Sequence, residues 1–209
     1  MTDYSHQLPP PPPLPTESFR QLLIQKEMNT WEFAHIINDD PETLRILKEQ
    51  LPLGTCRIVS DGSFFAATRT GTSALILSCP GLDHPLTIQN RVPGRPEDQS
   101  AYRSELAGIY TAFRLEKALF AFLGLPDNCR IAFGCDGEGA LKSCFQSCGC
   151  TVKESDFDLI SAVHTLLTET SSSWTWRHVR GHQDVDTTTT LDWWAQLSVL
   201  ADFYAQRFN

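Results

Sequence analysis

Three acidic residues stand inside apolar pattern, where burial disfavours them. Asp61 lies in Arg57-Ile58-Val59-Ser60-Asp61-Gly62-Ser63-Phe64, and Asp136 closes Ile131-Ala132-Phe133-Gly134-Cys135-Asp136. Glu105 falls on the apolar side of a long helical stretch, in phase with Ile109, Ala112, Leu119 and Leu123, while Arg103, Arg114 and Lys117 mark the opposite side. Each acid alone has an ordinary reading: Asp61 a turn residue, Asp136 a helix cap, Glu105 the partner of an arginine. Together they are harder to dismiss, because an unpaired buried carboxylate costs several kcal/mol and is protonated instead. Divalent cations are the natural compensation. Two hard ions held about 4 Å apart by Asp and Glu oxygens also suit phosphoryl transfer, one activating water and the other stabilising the leaving oxygen. Glu116 shares the helical face of Glu105 farther along and is assigned to a structural pair.

These acids need a scaffold of alternating strands and helices. Strands are expected at about 56–64, 72–79 and 86–92, punctuated by Gly62, Gly71 and Gly81. Short connections make them an antiparallel meander. A helix over about 100–123 ends at Gly124 and Pro126, and a short apolar strand follows at 130–135. Helices at about 137–145 and 156–170, a fifth strand at 175–180 and a helix over 191–208 complete the order βββ-α-β-α-α-β-α. Asp136 thus stands at the carboxyl edge of a strand, where open α/β sheets place their sites.

The chain has 209 residues, 17 Lys and Arg against 25 Asp and Glu, and a formal net charge of -8, so it is not a basic, phosphate-coating binder. Six of its 13 prolines fall between Pro9 and Pro15, a polyproline II tail with no core of its own. Residues 16–50 read as two helices, with Phe19, Leu22 and Leu23 on one face and Pro41 in the first turn of the second. The seven cysteines, among them Cys135, Cys144, Cys148 and Cys150, lack paired C-x-x-C halves, so no zinc site is expected and reduced thiols are. Without a signal peptide or a long apolar run, an intracellular protein, cytoplasmic or nuclear and off the membrane, is expected.

In this order, Ile58-Val59-Ser60-Asp61-Gly62-Ser63, Ser100-Ala101-Tyr102-Arg103-Ser104-Glu105-Leu106-Ala107, Cys135-Asp136-Gly137, Val179-Arg180-Gly181-His182-Gln183-Asp184 and Leu197-Ser198-Val199-Leu200-Ala201-Asp202 resemble the type 1 ribonuclease H domain. The version that follows the reverse transcriptase in retroelement polyproteins is the most similar. The resemblance runs from about Cys56 to Ala205. It implies a mixed α/β fold with a five-stranded sheet, three antiparallel strands then two parallel, flanked by helices and preceded by a helical extension. The chain then divides into a proline-rich tail over 1–16, a helical extension over 17–53 and a ribonuclease H-like domain over 54–209.

The same resemblance implies a metal-dependent endonuclease that cuts the RNA strand of an RNA/DNA hybrid, leaving 5'-phosphate and 3'-hydroxyl ends. Asp61 would bridge two Mg2+ ions, with Mn2+ as a substitute. Glu105 and Asp136 would hold the leaving-group ion, Asp202 the water-activating ion, and His182 would handle protons or product release. Asp202 is in phase with Leu191, Ala195 and Val199, whereas its rival Asp192 starts the helix, where the dipole alone favours a carboxylate. Hybrid shape and 2'-hydroxyls would be recognised, with little sequence readout. A reverse transcriptase domain or another polyprotein segment is the expected protein partner.

Departures from the family pattern keep other readings open. The segment between His182 and Asp202 is long, holding Asp184, Asp186 and Thr187 to Thr190. Residues 142–158 offer only Lys142 and Lys153 where some relatives carry a basic handle, so weak binding is expected. Trp193, Leu197, Leu200 and Tyr204 form a second apolar stripe on the last helix, suited either to the N-terminal helices or to a missing partner domain. A catalytically inactive binding or scaffold module is therefore the alternative. An integrase or transposase using Glu169 as its helical acid is more distant, since it leaves Glu105 and His182 without roles.

Overall fold

The computed structural model describes residues 18–26, 30–146, 156–181, 183 and 190–208. The proline-rich tail, Cys148, Cys150, Lys153, His182, Asp184 and Asp186 lie outside the described residues. A mixed sheet flanked by helices carries the fold, as the alternating texture implies. It has six strands, not five, in the order β1-β4-β3-β2-β5-β6.

The additional strand is β1 (His35–Ile37), inside the segment read as purely helical. It pairs antiparallel with β4 (Leu86–Arg91), setting His35 opposite Gln89. Three residues are too few to show an alternating pattern, so this element had no sequence signature. The antiparallel meander of β2 (Arg57–Phe65), β3 (Thr70–Ser78) and β4 forms as expected. β5 (Arg130–Cys135) runs parallel to β2, and β6 (Ser173–His178) parallel to β5, two residues earlier in the chain than its pattern suggested.

Local chemistry sets the helix ends. In α1 (Phe19–Gln25) the Ser18 and Gln21 side chains cap each other's backbone N–H reciprocally. Asp40 caps α2 (Pro41–Gln50), with Pro41 at the first turn. Ser100 accepts from Arg103 N at the start of α3 (Ala101–Leu123), which ends on Gly124 in the left-handed region at φ 65°. α4 (Glu138–Phe145), α5 (Phe157–Glu169) and α6 (Trp193–Arg207) follow.

Strand alternation divides the sheet residues between two layers. Ile58, Leu75, Leu77, Ile88, Ile131 and Phe133 face α3 in the main core, which also takes Phe19, Leu23, Phe33, Leu44 and Leu47 from the N-terminal segment. Each such fully buried side chain contributes roughly 1.5–3 kcal/mol relative to exposure. Buried Asn90 fastens that segment further, donating to Glu32 O and Thr111 Oγ1 and accepting from Ser73 Oγ. On the other face Val59, Ile76 and Val179 meet Trp194, Leu197 and Ala201 of α6, with Trp193, Leu200 and Tyr204 packed alongside. The second stripe of α6 thus packs on the sheet, with Leu197 buried and Trp193, Leu200 and Tyr204 partly so.

Candidate active site

Asp61 sits in the central strand β2 opposite Ala74, is 5% exposed, and points to the α6 face, because Val59 two residues earlier packs there. It is no turn residue. Glu105 approaches from the α3 face, where its Oε1 accepts from Gly62 N at 3.1 Å. Asp136 follows the last residue of β5. The following helix takes Gly137 as its N-cap without a side-chain cap bond, so Asp136 is not spent on capping. Among the described residues Glu105 makes no ion pair with an arginine.

Burial above all, then repulsion from Glu105, Asp136 and Asp202, pushes the Asp61 carboxyl up to about 10. The Glu105 carboxyl is likewise raised well above the ordinary range, by burial first and by Asp136 second. Asp136 Oδ1 is buried with no hydrogen-bond partner among the described residues. Among the described residues, three carboxyls therefore come together without a basic side chain paired to them, and one of their oxygens has no hydrogen-bond partner. A hard divalent cation fits this donor set, supplying both the missing partner and the missing charge.

Packing around the carboxyls depends on glycines at points of close approach. A Cβ on Gly62 would lie 2.5 Å from the backbone of Ser104 and Glu105; one on Gly137 would lie 2.7 Å from Glu105 Cγ. A Cβ on Gly181 would stand 2.6 Å from Asp136 Oδ2. The loop after β6 thus presses on Asp136 itself.

One site residue had no functional signature in the sequence. Cys135 Sγ donates to Glu105 Oε2 at 3.1 Å and accepts from Gly137 N at 3.3 Å. Ligand atoms of Glu105, Cys135 and Asp136 lie within 4.8 Å of one another. A cysteine in an apolar strand reads as core packing, and only the neighbouring glutamate distinguishes it. Burial raises this thiol well above its ordinary value, so it stays protonated.

The remaining candidates separate clearly. Asp202 lies on α6, half-buried, close enough to repel Asp61, and its Oδ1 accepts from Gln206 Nε2 at 2.6 Å. Asp192 caps α6 by accepting from Ala195 N at 2.8 Å. Glu116 spends its oxygens on Thr170 Oγ1 and Trp174 Nε1. Glu169 pairs with Lys117 at 2.8 Å, and Lys142 with Glu138 at 2.7 Å. Arg103, read as surface, is instead 5% exposed and paired with Asp156 and Asp158, at 2.9 Å and 2.5 Å. No helix among the described residues is long and apolar enough to cross a membrane.

No protein-family model matches the chain, and no curated protein does. Solved structures do resemble it. LC11-RNase H1 in complex with an RNA/DNA hybrid superposes with a TM-score of 0.50 at 10% identity, covering 72% of this chain and 94% of that one. The N-terminal RNase H domain of a Mycobacterium tuberculosis protein, solved as a fusion with maltose-binding protein, gives 0.44 at 12% identity, covering 72% and 90%. With the sheet order, the first likeness shows a ribonuclease H-like fold with one added edge strand.

Proposed function

We propose that this ribonuclease H-like chain is a divalent-metal-dependent endonuclease that hydrolyses the RNA strand of RNA/DNA hybrids. The observation that carries the reading is the meeting of Glu105 and Asp136, whose ligand atoms lie within 4.8 Å of each other and of Cys135 Sγ, beside the buried Asp61 they repel, with Asp136 Oδ1 buried and without a hydrogen-bond partner among the described residues. Asp61, Glu105, Asp136 and Asp202 would hold two Mg2+ ions, or Mn2+ in their place. When bound, the ions would activate the attacking water and stabilise the leaving oxygen.

The chain's own residues set the rest of the chemistry. Gly62 N and Cys135 Sγ each hold one oxygen of Glu105, fixing the carboxyl plane before any ligand arrives. Gly181 lies against Asp136, and His182, the next residue in the sequence, would handle the proton at the leaving 3' oxygen or assist product release. Water attacks phosphorus in line, the bond from phosphorus to the 3' oxygen breaks, and the 3' oxygen takes up a proton. The products carry 5'-phosphate and 3'-hydroxyl ends. A retroelement polyprotein context, with a reverse transcriptase domain alongside, belongs to the same proposal and accounts for the weak basic handle.

One observation favours a second reading, that of a binding or scaffold module without turnover. The Cys135 thiol already occupies one oxygen of Glu105, leaving it fewer lone pairs for a metal. Incubation of labelled hybrid with Mg2+ separates the two. The wild type should shorten the RNA strand while Asp136→Asn does not, and the absence of shortening at high protein concentration and low salt would sink the nuclease reading.

A further inference from the structure

A cleft of about 520 Å3 opens beside the C-terminal end of α6, lined by Trp31, Ala34, Arg91, Arg207 and Phe208. Its rings are backed by other rings. Trp31 stacks on Tyr110 with 5.5 Å between centroids, and Phe208 on His35 with 5.8 Å. Among the described residues neither Arg91 nor Arg207 pairs with a carboxylate. Arg207 lies 4.0 Å over the Phe203 ring, which orients its guanidinium plane and leaves the donors at its edge available. Thr72 Oγ1 and Gln89 Nε2 donate to the carbonyls of Ala205 and Tyr204, so the end of α6 is fixed on the sheet.

Strand register ties the cleft to the carboxyls. Asp61, Ala74, Gln89 and His35 stand opposite one another across four neighbouring strands. Arg91, two residues past Gln89, shares the α6 face with Asp61. Strand spacing of ~4.8 Å and a rise of ~3.4 Å per residue put the two backbones about 12 Å apart. Arg207 follows Asp202 by five residues, about 7.5 Å of helix. Two arginines with no carboxylate partner among the described residues and two ring-backed aromatic side chains thus lie near the acidic site. Guanidinium groups take phosphates, and ring faces take unstacked bases. A duplex keeps its bases stacked, so these platforms suit an unpaired strand.

We propose that this cleft is a subsite for a single-stranded nucleic-acid extension running beyond the hybrid. Trp31 and Ala34 come from the N-terminal segment, so the extension would supply a grip that residues 142–158 do not. The inference rests on the reading of the chain as a hybrid nuclease. Its test is fluorescence anisotropy in chelator, where nothing is cut, comparing a labelled blunt hybrid with the same hybrid bearing an oligothymidylate overhang. The overhang should tighten binding by about tenfold, and Arg91→Gln with Arg207→Gln should abolish that gain and lower the salt slope by about two. Both arginines are exposed, so the variant keeps its core. Equal affinity for both substrates, or a preference that survives the double substitution, overturns the subsite. Hybrid cleavage without overhang preference overturns this inference alone; preference without cleavage overturns the nuclease and leaves the subsite standing.

Discussion

The Cys135 thiol donates to Glu105 Oε2 across 3.1 Å, coupling a core strand residue to the acid supplied by α3. Truncation at Cys135→Ala removes a donor from a buried carboxyl and leaves a small void. Chemical denaturation should show a loss of about 1–2 kcal/mol. An unchanged midpoint would mean that this contact contributes nothing to the fold.

Gly181 and Gly62 test the close approaches around the carboxyls separately. Gly181→Ala forces a methyl against Asp136 Oδ2 from a surface loop, so hybrid cleavage should fall at least tenfold while the melting temperature moves little. Gly62→Ala meets backbone on α3 rather than a movable side chain. It should destabilise the protein by roughly 2–4 kcal/mol, measured by thermal unfolding.

Mutual repulsion of the carboxyls gives a signature that needs no substrate. Asp136→Asn should melt higher than the wild type in chelator, because one member of the like-charged set is gone. Mg2+ or Mn2+ should raise the wild-type melting temperature, with about 2.7 kcal/mol available at a hundredfold excess over Kd, and should leave Asp136→Asn unmoved. Identical metal responses in the two proteins would dissociate the acids from metal binding.

Acid sensitivity should arise partly at Arg103. Its hydrogen bonds hold the Asp158 carboxyl below its usual range, so the folded state binds that proton more weakly than the unfolded chain. The corresponding stability is present at neutral pH and is lost as pH falls below about 4, through the depressed folded value. Since Asp158 is 62% exposed, its share is small, about 0.5–1 kcal/mol. Asp158→Asn should flatten the acid limb of the unfolding curve by that amount.

The meander β2–β4 and strand β5 were legible because four elements of six to nine residues repeat their pattern between glycines and turn residues. Asp61, Glu105 and Asp136 were legible for the opposite reason, as charges where the pattern calls for apolar residues. β1 was not, since three residues pairing on one edge leave no periodic trace. Arg103 misled because a buried arginine with two carboxylate partners has the same local sequence context as a solvated one. Cys135 was hidden by its own suitability for the core, and the stripe on α6 looked surplus because the second face of the sheet is only revealed by strand register.

The short pairing of His35–Ile37 on β4 has a consequence for what happens when it is missing. Without it, Leu86–Arg91 would be a terminal strand with its backbone donors and acceptors open to any extended chain, the usual route to intermolecular association. A fragment beginning at residue 54 should therefore self-associate at concentrations where the whole chain stays monodisperse in sedimentation velocity. The N-terminal segment acts as an intramolecular guard on the sheet.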